Sequence, residues 1–197
     1  MNVPRETLER LDEFIGLLKR WNQTLNLVSK TDLKGDLTAR HVGQSLAMIP
    51  HFPPGIDRFI DIGSGGGFPA IPIAIAGGCH VDLVEADQRK AAFLETALAT
   101  LGIRGKVWPE RIEACKVPPT QCVTARALAA LPELLGYTNR LLQPGGIALF
   151  LKGDRVEAEI EAARQRWKMQ VELFELQPKG SRILKISRLE PADDPSR

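Results

Sequence analysis

Residues 61–76 read DIGSGGGFPAIPIAIA, with an acid two residues ahead of three glycines at alternate positions. Gly63, Gly65 and Gly67 let a backbone turn tightly and approach a ligand with no side chain in between. Asp61 completes the pattern acid-x-G-x-G-x-G. A dinucleotide turn of the form G-x-G-x-x-G needs a small third residue for helix–strand contact, and that position here is Phe68. A pyrophosphate also draws on the free N–H groups of the following helix's first turn, and Pro69 and Pro72 remove two of them. Proline commonly opens helices, so the prolines weigh less than Phe68. The turn suits a nucleoside that carries no pyrophosphate.

Two further elements narrow the ligand. Glu85 lies 22 residues after Gly63, at the end of the next apolar run, where a carboxylate can accept both ribose hydroxyls. Further on, PERIEAC (109–115) offers either Glu113 or the Ile112 backbone to the exocyclic amine of adenine. Together these describe a site for S-adenosylmethionine.

The elements that must position these residues alternate. RFIDI, HVDLVEA, KVW, QCVTAR and IALFLKG read as strands. Helices are expected from near Pro69, over DQRKAAFLETALATLG ending at Gly102, and through LPELLGYTNRLL. Such alternation predicts an α/β fold, Rossmann-like, with a doubly wound and mostly parallel sheet. MQVELFELQP and SRILKISRL, joined by a PKGS turn, predict an antiparallel C-terminal hairpin at the sheet edge. Ahead of the break at PHFPPG, residues 5–28 carry Leu8, Leu11, Phe14, Ile15, Leu18, Trp21, Leu25 and Val28 at helical spacing. A second helix is expected over TDLKGDLTARHVGQSLAMI, starting at Asp36 or Thr38. The expected organisation is a helical N-terminal extension (1–55), a cofactor-binding core (56–190) and a frayed tail (191–197).

Hydrophobic residues make up 44% and charged residues 25% of the 197 residues, values of a globular chain. The apolar runs are too short to span a bilayer and the first residues have no signal-peptide core, so a soluble cytoplasmic protein is expected. Cys79, Cys115 and Cys122 form no CxxC pair, and His41, His51 and His80 are scattered, so no metal site is expected. A formal charge of +2 is compatible with nucleic acid but does not argue for it.

Six segments, in order over roughly residues 10 to 155, resemble the RsmG family, also called glucose-inhibited division protein B. They are WNQTLNLVS (21–29), ARHVGQSL (39–46), DIGSGGGFPAIPIAI (61–75), LVEADQRKAAFL (83–94), VTARALAAL (123–131) and LKG (151–153). The resemblance implies a class I methyltransferase that moves a methyl group from S-adenosylmethionine to N7 of one guanine in 16S ribosomal RNA. It carries cofactor contacts onto Gly63, Phe68, Ile112, Glu113 and Arg126. Two positions depart from the family pattern: Ala70 replaces an expected glycine, and Gln44 replaces an aspartate, removing a charge near Arg40 and His41. On this reading the partner is 16S rRNA or the small ribosomal subunit, met by a monomer.

Guanine N7 has an exposed lone pair, so its methylation needs no deprotonation, only positioning and a dry pocket. Arg126, at the end of a strand, either orients the methionine part or the RNA, or forms a structural ion pair. Asn22 and Asn26, four apart on one helix face, cap local backbone or face the cleft. Arg40 and His41 grip phosphate or lie on a solvated face. Lys152, at a strand end, is placed to touch RNA. Asn26, Arg40, His41 and Lys152 are the substrate-side candidates. Lys179, Arg182, Lys185 and Arg188 read as a solvated edge that discourages aggregation. Trp21, Trp108 and Trp167 read as core or groove residues. Rival readings are a methyltransferase with a non-RNA acceptor and an RNA-binding assembly factor without catalysis. A nicotinamide-dependent enzyme is disfavoured by Phe68 and the prolines.

Overall fold

The computed structural model describes residues 4–34, 37–126, 128–177 and 180–192; Asp36, Lys179 and residues 193–197 lie outside that set. The sheet has seven strands in the order β3-β2-β1-β4-β5-β7-β6. These are β1 (Arg58–Ile62), β2 (His80–Val84), β3 (Gly105–Trp108), β4 (Thr120–Arg126), β5 (Leu142–Lys152), β6 (Trp167–Glu175) and β7 (Arg182–Pro191). The first five run parallel; β7 inserts antiparallel between β5 and β6. The expected hairpin is therefore present, and β6 rather than the basic β7 is the edge. Arg182 pairs with Glu157 and Glu175, and Lys185 with Glu172, so these two cations of that run meet acids instead of standing bare in solvent. The register also shifts between Lys168 and Gln170, and Arg188 there has φ +51°, which interrupts the simple alternation of faces.

Strand pleating divides the core into two layers. Phe59, Leu149 and Ile183 face α1 (Arg5–Trp21), α4 (Ala70–Gly77) and α5 (Gln88–Thr100), while Ile60, Phe150 and Leu184 face α6 (Leu131–Leu141) and α7 (Val156–Arg164). Strands β1 and β2 are buried beyond their first residue, as expected for parallel strands covered on both faces. Helix α7 was not anticipated, although Val156, Ile160 and Ala163 give its apolar stripe.

The N-terminal segment departs from the expected pair of long helices. Helix α1 ends at Trp21, because the Asn22 side-chain oxygen accepts the N–H groups of Leu27 and Val28 at 2.8 and 2.9 Å and folds the chain back. Arg10 docks α1 by donating to the Leu101 carbonyl just beyond α5. Next come α2 (Lys30–Lys34), a π-helical turn Thr38–Val42 and α3 (Gly43–Leu46). Ser29 starts α2 with a capping arrangement: its hydroxyl accepts the Asp32 N–H and donates to the Asp32 carboxylate.

Candidate active site

Strand β1 ends at Ile62 and the chain enters the glycine turn, where Gly63, Gly65 and Gly67 have φ of +67°, +51° and +83°. Gly66 is constrained differently: a Cβ there would stand 2.8 Å from the Leu27 carbonyl oxygen, so the N-terminal segment lies directly on the turn. Glu85, one residue past β2, accepts the Gly65 N–H at 2.8 Å and the Asp87 N–H at 2.9 Å. Asp87 in turn caps α5 through Arg89 and Lys90.

A groove of about 460 Å³ opens at the carboxyl ends of β1 and β2, the location expected for ligands of a doubly wound sheet. Gly63, Gly65, Glu85, Ile112, Glu113 and Leu128 line it, with Tyr137 at one wall. Four carboxylates (Glu85, Glu110, Glu113 and Glu133) face it against two cations, Lys90 and Arg111. That lining suits hydroxyl and amine donors and disfavours a pyrophosphate. The single Tyr137 hydroxyl proton lies between two carboxylates, Glu133 at 2.8 Å and Glu113 at 3.0 Å, and these carboxylates push its phenol pKa up to about 12. Arg140 donates to the carbonyls of Ile112 and Glu113 and fixes that wall.

A second groove of about 280 Å³ shares Gly63 and Gly65 with the first and is also lined by Ser29, Asp32, His41, Gly66, Phe68 and Arg126. The His41 ring packs against Phe68 with centroids 5.0 Å apart and planes tilted by 45°, and Phe68 packs on Phe14. His41 Nδ1 meets Arg126, and Nε2 stands 3.1 Å from Asp32 Oδ1, at ion-pair distance but bent from hydrogen-bond geometry. Asp32 also pairs with Arg40 at 3.1 Å.

A sequence model of the family described as GidB, rRNA small subunit methyltransferase G, matches residues 7–182. The chain belongs to this family. Two relatives are both described as Ribosomal RNA small subunit methyltransferase G. That of Acidiphilium cryptum is 48% identical, over 97% of this chain and 95% of the relative. That of Granulibacter bethesdensis is 46% identical, over 95% and 89%. Among solved structures, an O-methyltransferase from Bacillus cereus in complex with SAH matches with TM-score 0.61 at 16% identity, covering 95% of this chain and 94% of that one. An rRNA methylase from Streptococcus thermophilus matches with TM-score 0.56 at 15% identity, covering 77% and 98%. The fold is thus the Rossmann-like one of class I methyltransferases.

Of the positions carried over from the GidB family, Ile112 and Glu113 line the first groove, Phe68 and Arg126 the second, and Gly63 both. Glu85 and Gly65 stand in the first as well. Ala70 is fully buried at the start of α4. Gln44 is 3% exposed, and its side-chain nitrogen has no partner among the described residues, so an amide sits buried where the resemblance led to the expectation of an acid.

Other expectations need correction. Asp61 lines neither groove: it is 1% exposed, takes the Thr124 hydroxyl at 2.6 Å and leaves Oδ2 without a hydrogen-bond partner among the described residues. Burial raises its pKa to about 7. Gly67 also lies beneath the grooves, where a Cβ would come within 2.7 Å of Ile71; its role is to let the turn pack. Asn26 is exposed on a loop, in a further hollow with Asp87 and Arg89 that meets the first groove only at Lys90, because α1 has already ended. His41 is 4% exposed and is no surface phosphate grip, whereas Arg40 is exposed. Lys152 is turned inward rather than offered at the surface: its side chain is 7% exposed, with the ammonium 2.7 Å from Glu159 and 3.2 Å from the Ala129 carbonyl. The tryptophans are structural. Trp21 packs on Phe93, Trp108 donates to Asp82 and Trp167 to the Pro132 carbonyl.

Reading the sequence alone missed Asp32, Leu128 and Tyr137. Asp32 had a signal in the S-x-x-D spacing from Ser29. Nothing in the local sequence marks Leu128 or Tyr137, which meet the groove only through tertiary packing. Among the described residues no group of three or more His, Cys, Asp and Glu side chains could hold a metal ion. No helix there is long and apolar enough to cross a membrane.

Proposed function

We propose that this chain methylates N7 of one guanine in 16S ribosomal RNA, with S-adenosylmethionine as methyl donor. The observation that carries the cofactor part is the pairing of an acidic groove with an adjoining groove that presents Arg126, the two meeting at Gly63 and Gly65. S-adenosylmethionine supplies an electrophilic methyl group on a sulfonium. The Glu85 carboxylate is placed to accept ribose hydroxyls while it holds the Gly65 N–H. The Ile112–Glu113 wall is placed to meet adenine, and Arg126 to meet a carboxylate. Phe68, Leu27 and Val28 keep the second groove partly apolar, which strengthens every polar contact made in it. Family membership and the family's guanine-N7 chemistry support the acceptor. The reaction asks no residue to remove a proton, so the chain's work is binding, orientation and exclusion of water.

On this reading residues 1–55 form an extension on a methyltransferase core that begins at 56 and runs through the end of β7 at Pro191, one residue beyond the expected boundary. The protein acts as a monomer in the cytoplasm, on the small subunit or its RNA. The test incubates the protein with labelled S-adenosylmethionine and either naked 16S RNA or assembled small subunits, followed by nucleoside analysis. Label in 7-methylguanosine is the expected result. Binding without transfer would instead favour an assembly factor, and label on a non-RNA acceptor a different methyltransferase.

A further inference from the structure

The second groove holds a side-chain chain that the reaction does not need for proton transfer: Asp32, His41 and Arg126. Arginine has five N–H donors and no acceptor. Its contact with His41 Nδ1 therefore requires a lone pair on that nitrogen. A neutral imidazole that accepts at Nδ1 carries its proton on Nε2, the nitrogen facing the Asp32 carboxylate. The contacts thus select one tautomer out of the three protonation states. The charged groups around the ring are Asp32 and Arg40 from the N-terminal segment and Arg126 from β4.

The arrangement also fixes the ring mechanically. Phe68 covers one side of His41, Ser45 donates to the His41 carbonyl at 2.6 Å, and the whole residue is 4% exposed. Arg126, by contrast, ends a strand and has a long flexible side chain whose free rotamers would have to be frozen on ligand binding. We propose that His41 is a positioning residue for the methyl-donor site: as the neutral Nε2–H tautomer it holds the Arg126 guanidinium in place for the carboxylate end of the cofactor. The inference rests on the S-adenosylmethionine reading given above. Desolvation, with the Arg126 charge second, moves the His41 pKa below the ordinary histidine range, in keeping with a neutral ring at neutral pH.

Asparagine carries a carbonyl oxygen near the place of Nδ1, whereas glutamine carries its amide nearer Nε2. Both lose the ring that packs against Phe68, so their difference isolates the acceptor. The experiment measures the affinity of wild-type protein, His41→Asn and His41→Gln for S-adenosylhomocysteine and for 5′-methylthioadenosine, which lacks the amino-acid end. The expected result is a loss of about tenfold or more for S-adenosylhomocysteine in His41→Gln. His41→Asn should recover most of it, and methylthioadenosine should change less than about twofold in both. Equal losses on both ligands, or none on either, would overturn the inference alone. Wild-type protein that binds neither ligand would overturn the cofactor reading and this inference with it. Should either variant fail to fold, long-range proton–nitrogen spectra of the wild-type imidazole decide the matter. A neutral ring protonated on Nε2 is expected, and an imidazolium or an Nδ1-protonated ring at neutral pH overturns the inference.

Discussion

The carboxylate of Glu85 accepts the backbone N–H of Gly65 at 2.8 Å, so the end of β2 sets the shape of the turn that follows β1. One side chain thereby does two things: it braces the turn and stands in the groove where a ribose is expected. Replacing it with alanine removes the acceptor for Gly65 and for Asp87 together with the ribose acceptor. Glu85→Ala should weaken S-adenosylhomocysteine binding by roughly 1.5–3 kcal/mol, the usual range for a charge-assisted hydrogen bond. Glu85→Gln, which keeps one acceptor oxygen, should lose less. Calorimetric titration checks both, and unchanged affinity in the alanine variant would remove Glu85 from the site.

Gly66 reports on the contact between the N-terminal segment and the glycine turn. A methyl group there would lie 2.8 Å from the Leu27 carbonyl oxygen and 3.5 Å from Leu18 Cδ1, and the backbone oxygen cannot swing aside as a side-chain end would. Gly66→Ala should cost about 1–3 kcal/mol of stability, as overpacking does. Residues 22–29 should become more open to limited proteolysis. Gly78→Ala serves as the comparison: nothing lies within 4 Å of its Cβ position and only the φ of +66° opposes the change, so proteolysis at 22–29 should stay as in the wild type.

The parallel core was legible because its signals are local: RFIDI and HVDLV are short apolar runs, and Glu85 follows Gly63 at the spacing of one strand–helix–strand unit. The N-terminal segment was less so. Leu25 and Val28 continue the helical period of α1, but the Asn22 side chain ends the helix by capping Leu27 and Val28, and a single amide outweighs two periodic positions. His41 beside Arg40 looks like a charged surface pair, yet the ring is buried because Phe68, some distance along the chain, supplies an apolar ring that it packs against. Lys152 was placed correctly at the end of β5, but its direction depends on Glu159, which sits on the unanticipated α7.

That pairing sets a prediction opposite to an RNA contact. Glu159 holds both the Lys152 ammonium and the Leu131 N–H, tying β5 and α7 to the start of α6. Lys152→Ala leaves the carboxylate, whose side chain is 29% exposed, without its cation. Because solvent partly screens it, the cost should fall below that of a fully buried broken pair, at about 2 kcal/mol. Urea unfolding measures it. The salt dependence of RNA binding should keep its slope, whereas a lost phosphate contact would lower the slope by about one.

Asp61 should make stability depend on pH in the direction opposite to a salt-bridged carboxylate. Its pKa rises from 3.8 to about 7 on burial, with the Thr124 hydroxyl only partly offsetting the desolvation. Below pH 3.8 the group is protonated in both folded and unfolded chains and contributes no difference. Between there and about 7 the folded chain holds a proton that the unfolded chain has released, so each rise in pH favours unfolding. Above about 7 both states are ionised and the penalty is constant, on the order of 4 kcal/mol for a shift of this size. Asp61→Asn keeps an oxygen to accept from Thr124 and never ionises. The stability of the variant relative to wild type should therefore grow as pH is raised from 5 to 8, by a few kcal/mol at most. Urea titrations of both proteins at several pH values measure that difference, and a difference independent of pH would show that Asp61 is ionised at no cost in the folded chain.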